Sequence, residues 1–460
     1  MIKKLFLLSL VASQLMVSCS SDELKEETPT EQNQTLAEQI ANLVKQPYSK
    51  LTPAEQKVKL EAEANEMLVQ LDKSKSSGAI EAIQNLGRLL GLRKIDIFNG
   101  KNDNAVEDIL NVSGVYGIYT WDNTAKIWVK TASTTELKFV FPAKASQTAN
   151  NAVFSAKSTS SDIKVKSIDT YGSWKYDPVK QQYIQSPSVY DYFFLPTTAD
   201  ATLTIDNAPA ATFTQTAKYS NKKEIPDDFA YKMTLNDGYA WEMSGKKALE
   251  STSKAAFTFN GKTLVDFNAG STANIDGLLE NSELVQYRGK ANGLIKLMDN
   301  FIIVANMDLA TEAADDIALD KSIIRPAYIT DNTNPKNDYK AYYTALNAYE
   351  KKYSEGLVAL FNKNIKLILV SKKDGTKIAD IIQHSEARGK HTFNLPVWNE
   401  KDKYWSWGTN QGESFSQPYM EEIYYLKFSD NTEVEMSTYF SEGFGALETK
   451  FENFVKAFQR

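Results

Sequence analysis

The chain has 460 residues, of which 42% are hydrophobic and 24% charged, a balance typical of a folded protein and not of a disordered one. Its formal net charge is −6 and it has no dense run of lysine or arginine, which argues against a nucleic-acid partner because phosphate binding needs clustered cations. The only cysteine is Cys19, which excludes disulfide bonds within the chain and thiolate metal sites.

The first 18 residues have the pattern of an export signal. Lys3 and Lys4 give a basic start, and three polar side chains interrupt the apolar stretch from Leu5 to Val17. This stretch is too short to span a bilayer as a stable helix. Removal of the leader would change the formal net charge of the chain from −6 to −8, because both lysines leave with it.

The leader ends in Met16-Val17-Ser18-Cys19, which resembles the lipobox of bacterial lipoproteins. In that family signal peptidase II cuts before the cysteine, whose thiol carries a diacylglycerol. The resemblance implies a signal peptide of residues 1–18, a lipidated Cys19 and an anchor in an envelope membrane, although Met16 replaces the usual leucine. Acyl chains contribute about 0.8 kcal/mol per buried methylene, so they can hold a protein without a transmembrane helix. An ordinary secretory signal or an anchor helix is the alternative.

Residues 19–34 are rich in Glu, Thr, Gln and Pro, and such a composition cannot bury a core, so we expect a flexible tether. Ser20-Ser21-Asp22-Glu23 is similar to the surface-export signal of Bacteroidota lipoproteins. This second resemblance implies attachment to the outer membrane with the folded part exposed at the cell surface. A solvated linker on a periplasm-facing lipoprotein is the alternative.

Residues 35–112 are predicted to be helical. Leu36, Ile40 and Leu43 repeat at helical spacing, and Thr52-Pro53-Ala54-Glu55 has the pattern of a capping box with proline at the first helical position. Two apolar stripes follow, and the second ends at Gly91. Their members are Leu60, Ala64, Met67, Leu68 and Leu71, then Ile80, Ile83, Leu86 and Leu90. The stripes indicate amphipathic helices whose apolar sides form a core.

Residues 113–325 are predicted to form an antiparallel β-meander. From about Gly114 the apolar residues alternate with polar ones, as in Leu137, Phe139 and Phe141. Asn260-Gly261 and Asn236-Asp237-Gly238 supply the positive φ that tight hairpins require, and Trp121-Asp122-Asn123-Thr124 predicts a further turn. Long helices do not alternate with these strands, which argues against a parallel nucleotide-binding sheet.

Residues 326–460 are predicted to combine helices and hairpins. A helix with Tyr342, Leu346 and Tyr349 on one face follows a polar loop. Two hairpins are expected, one turning at Asp374-Gly375 and one running from Ile423 to Phe440 with its turn at Asp430-Asn431. The final predicted helix carries Leu447, Phe451, Phe454 and Phe458. The complete pattern predicts an α+β fold, with N-terminal helices, a long antiparallel β-meander and a C-terminal helix and hairpin region.

No motif requires one particular chemistry. The chain lacks the Gly-x-Ser-x-Gly elbow, the His-Glu-x-x-His helix and the Walker loop, so we assign no catalytic, cofactor-binding or metal-binding residue. His384 and His391 flank Glu386, but a polar loop is expected between them, which favours surface histidines over a zinc site. Asp331 to Asp338 offers alternating oxygen atoms without the glycine and glutamate of an EF-hand, which favours a helix-entry loop over a calcium site.

Four aromatic residues in one polar segment are the candidates for ligand binding: Trp398, Tyr404, Trp405 and Trp407. Aromatic rings offer contact area at low entropy cost, and the neighbouring amides and hydroxyls can orient a glycan or a peptide. The alternative, which we favour, is that these rings cover the seam between the C-terminal hairpins and the helix.

Three classes of function remain open. The first is a non-catalytic surface lipoprotein that captures or scaffolds a glycan, a protein or another envelope component. The second is a periplasm-facing carrier of lipid or lipoprotein with a half-barrel cavity, and the third is a carboxylate-type hydrolase. A continuous apolar cavity would favour the carrier, an exposed platform of Trp405 and Trp407 would favour capture, and an acidic cleft with two facing carboxylates would favour the hydrolase.

Overall fold

The computed structural model describes residues 35–73, 77–92, 97, 108–280, 288–298, 300–408 and 411–440. The predicted signal peptide, the predicted lipidation site Cys19 and the predicted tether lie outside these residues. The same holds for the predicted final helix with Leu447, Phe451, Phe454 and Phe458. Within the described residues the fold is α+β, as the sequence predicts.

Within the described residues, four helices precede the first strand. They are α1 (Leu36–Val44), α2 (Pro53–Lys73), α3 (Gly78–Leu92) and α4 (Asp108–Asn111). The predicted capping box is present at the start of α2, where the N–H of Glu55 donates to Thr52 Oγ1 (3.3 Å) and the N–H of Thr52 donates to the Glu55 carboxylate (2.8 Å). The predicted stripes are buried at Leu60, Ala64, Met67, Ile80, Ile83, Leu86 and Leu90. The side chains of Leu68 and Leu71 lie outside the described part.

In the described part of the chain, sixteen strands form one sheet in the order β2-β1-β3-β4-β7-β8-β9-β10-β11-β12-β13-β14-β15-β16-β19-β20. The strands before the C-terminal region are β1 (Gly117–Asp122), β2 (Ile127–Thr131), β3 (Leu137–Phe141), β4 (Ala152–Thr170), β5 (Trp174–Asp177), β6 (Gln182–Gln185), β7 (Val189–Ile205), β8 (Ala208–Lys218), β9 (Asp228–Leu235), β10 (Tyr239–Lys246), β11 (Ser251–Phe259), β12 (Lys262–Ser271), β13 (Lys290–Leu297) and β14 (Phe301–Asp308). The short helix α5 (Ile275–Glu280) lies between β12 and β13, and β5 and β6 pair as a separate hairpin.

The same sheet continues into the C-terminal part of the chain. The remaining elements are α6 (Leu309–Ser322), α7 (Tyr339–Asn364), β15 (Ile365–Ser371), β16 (Thr376–Asn394), β17 (Val397–Asn399), β18 (Tyr404–Ser406), β19 (Ser414–Lys427), β20 (Glu433–Glu435) and α8 (Met436–Tyr439). Strands of the predicted middle and C-terminal regions therefore share one sheet.

The hairpin turns confirm the predictions made from turn residues. Asn260 and Gly261, between β11 and β12, have φ values of 49° and 76°, the left-handed backbone expected of an Asn-Gly turn. Asp122 Oδ1 accepts the N–H groups of Thr124 and Ala125 at the turn between β1 and β2. Local turn chemistry thus sets the registers of these hairpins.

One strand pair departs from the predicted antiparallel meander. Strand β1 pairs in parallel with β3, with Tyr119 opposite Phe139, and β2 lies at the outer edge. The β1–β2 turn places β2 along one side of β1, so β3 can pair only with the other side. The rings of Tyr119 and Phe139 stack at 5.2 Å between centroids, which stabilises this arrangement.

Two predictions for the C-terminal region were wrong in detail. The segment with His384 and His391 is part of strand β16 and not a loop, because β19 pairs with it as far as Asn394. The second hairpin does not extend to Phe440, since β20 ends at Glu435 and α8 follows. The helix turns Tyr439 into the core, where its hydroxyl donates to the backbone oxygen of Pro53 (2.7 Å).

Strands β14 and β15 are covered on both faces. On one face Phe301, Leu367 and Leu369 share a core with Leu60 of α2, and on the other Ile40 of α1 packs with Val304 and Val370. A separate and larger core joins α3 to the rings of β1, β3 and β4. Helix α2 contributes to both large cores, through Ala64 and Met67 in one and Leu60 in the other.

Candidate functional site

The predicted aromatic cluster lies on the small β17–β18 hairpin beside the start of α7. Trp398 and Trp405 are directly paired across the two strands, with ring centroids 5.9 Å apart. Tyr404 occupies the neighbouring pair, and Trp407 follows β18. The structure therefore brings the four predicted residues together.

Most of the ring surface in this cluster contacts the protein itself. The indole N–H of Trp405 donates to the backbone oxygen of Asn334 (2.9 Å), and Trp405 and Trp407 pack edge-on against the buried ring of Tyr339, the first residue of α7. Tyr404 and Trp407 retain 37% and 46% of their surface. This packing covers the start of the helix, and ligand binding by the four residues stays a prediction.

In the loop before α7, the carboxylate oxygen atoms of Asp331 and Asp338 accept hydrogen bonds from neighbouring residues. Asp331 Oδ1 accepts from the backbone and hydroxyl groups of Thr333 (2.8 and 2.7 Å). Asp338 Oδ1 accepts the N–H of Ala341 (2.8 Å) and so caps the helix. These contacts are those of a helix-entry loop.

The two histidines have separate partners. His384 Nε2 lies 2.6 Å from Glu433 Oε2, whereas His391 stacks on Phe393 at 5.3 Å. Glu386, between them in sequence, accepts a hydrogen bond from the Tyr425 hydroxyl and pairs with Arg388. Within the described ranges no three or more His, Cys, Asp or Glu side chains are grouped to hold a metal ion.

A cavity of about 620 Å³ lies between α2 and the C-terminal half of the sheet. Helix α2 forms one wall and strands β14, β15, β16 and β19 form the other, while α8 borders one end. Its apolar lining is Leu60, Ala64, Met67, Leu297, Met298, Phe301, Ile303, Leu369, Ile381, Met420, Ile423, Leu426, Met436 and Phe440. Such a lining binds apolar groups, because their burial removes hydrocarbon surface from water.

The charged residues of the cavity wall are mostly acidic. The lining contains the four glutamates Glu63, Glu421, Glu422 and Glu435 and the arginine Arg388. Arg388 pairs with Glu435 at 2.5 Å, and Glu422 accepts from the hydroxyl of Ser354 at 2.8 Å. The wall therefore carries more acidic than basic side chains, and two of the carboxylates, Glu63 and Glu435, are paired with Lys373 and Arg388.

Glu63 is a partly unsatisfied carboxylate at this wall. Its Oε1 accepts from Lys373 (2.6 Å) and Asn300 (2.9 Å), whereas its Oε2 is buried and has no hydrogen-bond partner in the described part of the chain. One turn before Leu60 on the same helix, the fully buried amide of Gln56 also lacks a partner there. Buried polar atoms without partners are unfavourable, so Glu63 Oε2 is suited to accept a hydrogen bond from a ligand.

Two residues at or near the cavity, Glu435 and Tyr425, have shifted pKa values. A hydrogen bond from the Ser437 hydroxyl, and then the nearby Arg388, lower the pKa of the Glu435 carboxyl. The hydrogen bond to Glu386 raises the pKa of Tyr425 to about 12, and burial acts in the same direction. Glu435 is thus ionised and Tyr425 neutral near pH 7, and the charge of Glu435 is paired with that of Arg388.

The cavity could not have been found from the sequence. Its lining comes from segments more than 350 residues apart, from Leu60 to Phe440. The only sequence signal is the stripe of Leu60, Ala64 and Met67, which predicts a buried helix face. Such a stripe does not show whether the helix packs against a filled core or borders a cavity.

No family model, curated protein or solved structure matches this chain. None of the helices in the described ranges combines the length and the apolar character needed to cross a bilayer.

Proposed function

We propose that this chain is a lipid-anchored envelope lipoprotein whose folded part binds an amphiphile, without catalysis, in the cavity beside α2. The apolar cavity carries the proposal, because its volume of about 620 Å³ lies in the range of small-molecule sites. The leader and the lipobox-like Met16-Val17-Ser18-Cys19 support the anchor. Among the three classes considered from the sequence, this geometry favours the lipid-binding one.

The lining of the cavity predicts where the apolar chain and the head group of the ligand would lie. An acyl or alkyl chain would lie against Leu60, Met67 and Leu369, where each buried methylene contributes about 0.8 kcal/mol. The head group would meet the glutamate-rich wall and the unpaired Oε2 of Glu63. A hydroxyl or ammonium group can donate to that oxygen, whereas a carboxylate would be repelled.

The first experiment fills the cavity from α2. Ala64 lines it and Ala62, two residues earlier on the same helix, is exposed, so Ala64→Trp and Ala62→Trp form a matched pair. We expect Ala64→Trp to weaken binding of the fluorescent apolar probe N-phenyl-1-naphthylamine by roughly tenfold or more, equivalent to about 1.4 kcal/mol, and Ala62→Trp to have no effect. Equal binding by both variants, with melting curves like the parent's, would contradict the proposal.

Competition identifies the head group. We expect dodecylamine and dodecanol to displace the probe at lower concentration than dodecanoate, and Glu63→Gln to reduce the preference for the amine.

A chain ending at Phe440 provides the second test of the proposed cavity. If the probe binds this shortened chain but not the full one, residues 441–460 compete for the cavity and the proposal fails.

A further inference from the structure

A two-stranded ribbon with exposed aromatic side chains extends from the sheet. Strand β4 pairs with β3 only through residues 152–156, and β7 pairs with β8 only through residues 198–205. Residues 160–170 and 189–196 continue beyond these points, paired with each other. At 3.3 Å per residue the shorter strand of this part, residues 189–196, is roughly 25 Å long, and the ribbon leads to the β5–β6 hairpin.

The β5–β6 hairpin presents three aromatic rings on one face. Trp174 and Tyr176 are two residues apart on β5, and Tyr183 is directly opposite Tyr176 on β6, with ring centroids 5.4 Å apart. Their exposed fractions are 63%, 53% and 67%, and Trp174 is the most exposed of the seven tryptophans. Exposed aromatic patches of this kind mark interaction surfaces.

Lysines accompany the rings along the ribbon. Lys166 Nζ lies 3.7 Å from the ring centre of Tyr190, and Lys164 Nζ lies 4.7 Å from that of Tyr192. Residues 171–188 contain two lysines and one aspartate, a net charge of +1 in a chain whose net charge is −6. Residues 160–196, the ribbon with its tip, contain four lysines and four aspartates, so a small positive charge is confined to the tip, which is the part suited to a negatively charged surface.

We infer that the face of Trp174, Tyr176 and Tyr183 binds the surface of a bilayer that contains anionic phospholipid. Trp and Tyr have an apolar ring with a polar group, which suits the headgroup layer, where both residues are enriched. Lysine attraction to anionic headgroups supplies the charge complementarity. The binding is independent of the amphiphile cavity, whose residues lie on α2, α8 and the strands from β13 onward.

Vesicle flotation tests this inference. The protein used is the chain from residue 20, which lacks the proposed lipidation site but keeps every residue described here. We expect it to float with vesicles of equal parts phosphatidylglycerol and phosphatidylcholine and much less with phosphatidylcholine alone. The emission of Trp174, obtained as the difference from a Trp174→Phe variant, should shift to shorter wavelength on binding.

Two variants separate the aromatic face from the fold. The triple variant Trp174→Ser, Tyr176→Ser, Tyr183→Ser should bind the anionic vesicles about tenfold or more weakly. The matched control, Tyr328→Ser with Tyr419→Ser, removes exposed rings elsewhere and should bind like the parent. Replacement of residues 171–188 by Asn-Gly, which suits a tight turn between the paired Thr170 and Val189, should also abolish flotation.

Three results would overturn the inference. One is equal flotation by the parent and the triple variant, and another is equal binding to neutral and anionic vesicles. The third is a parent chain that stays in solution with both vesicles. If sedimentation then shows a dimer that the Asn-Gly variant cannot form, the surface binds a second copy of the chain and not a membrane.

Discussion

The carboxylate of Glu433, on the short strand β20, joins three neighbouring strands of the sheet. Its carboxylate lies 2.9 Å from Lys427 Nζ of β19 and 2.6 Å from His384 Nε2 of β16. The hydrogen bond from Lys427 lowers the pKa of Glu433, the one from His384 adds to this effect, and burial opposes both. The short strand β20 thus contributes a charged contact in addition to its few backbone bonds.

The lowered pKa of Glu433 predicts a pH-dependent stability. Because the folded pKa is below the ordinary value of 4.5, the contribution of Glu433 is present above that value and is lost as the pH falls through the folded pKa. We expect Glu433→Gln to reduce the free energy of unfolding by about 0.5–1 kcal/mol at pH 7 and to have a smaller effect below pH 4. Urea unfolding at both pH values measures this difference.

The control for this variant is Glu400→Gln. Glu400 pairs with Lys403 but is 77% exposed, so its replacement should leave the midpoint unchanged at either pH. An equal loss of stability for Glu433→Gln at both pH values would show that its pairing is not the source of the effect.

Residue patterns in the sequence predicted contacts within a segment better than contacts across the fold. The proximity of Trp398 to Trp405 follows from their short separation in the chain. The partner of His384 could not be predicted, because Glu433 is 49 residues away and reaches it only through the order of β16, β19 and β20. Most residues of the cavity are likewise far apart in the sequence, so their proximity could not be predicted either.

At the scale of elements, alanine substitutions at two glycines distinguish the effect of backbone conformation on stability from the effect of side-chain packing. Gly261 has a φ of +76° in the β11–β12 turn, whereas Gly91 lies in α3, and an added Cβ meets no atom within 4 Å at either position. We expect Gly261→Ala to destabilise the protein by about 1 kcal/mol, because the left-handed backbone disfavours alanine. Gly91→Ala should stabilise it by about 0.5 kcal/mol, because alanine favours the helix.

Thermal or urea unfolding of the two variants checks these opposite signs. The backbone conformation explains them only if Gly261→Ala lowers the midpoint and Gly91→Ala does not. A decrease of similar size for both would mean that the Cβ itself disturbs the protein.

The elements most accurately predicted were those with local chemical signals. Asn260-Gly261 located a hairpin, and the pair of Thr52 and Glu55 located the start of α2. The parallel pairing of β1 with β3 has no local signal in the sequence, because no residue selects one side of β1. The polar stretch around His391 has the composition of a loop, and only backbone pairing with β19, which apolar periodicity does not reveal, keeps it extended.

At the scale of the whole molecule, the coverage of β14 and β15 on both faces predicts where the fold is most resistant to opening. We expect backbone amides of residues 301–305 and 367–370 to exchange most slowly with deuterium, and those of the β5–β6 hairpin to exchange fastest. Mass spectrometry of peptides from native-state exchange measures both. Slower exchange in β1 to β3 than in β14 and β15 would contradict this ranking.

Contacts between the two ends of the chain determine when folding can finish. The Tyr48 hydroxyl donates to Asp380 (2.6 Å), and Tyr439 donates to Pro53, although each pair is separated by more than 300 residues. Helix α1 likewise needs β14 and β15 to bury Ile40. During synthesis the first helices emerge long before these strands exist, so they cannot complete their packing until almost the whole chain is available. If the leader directs export, as proposed above, this delay would favour translocation, which needs an unfolded polypeptide.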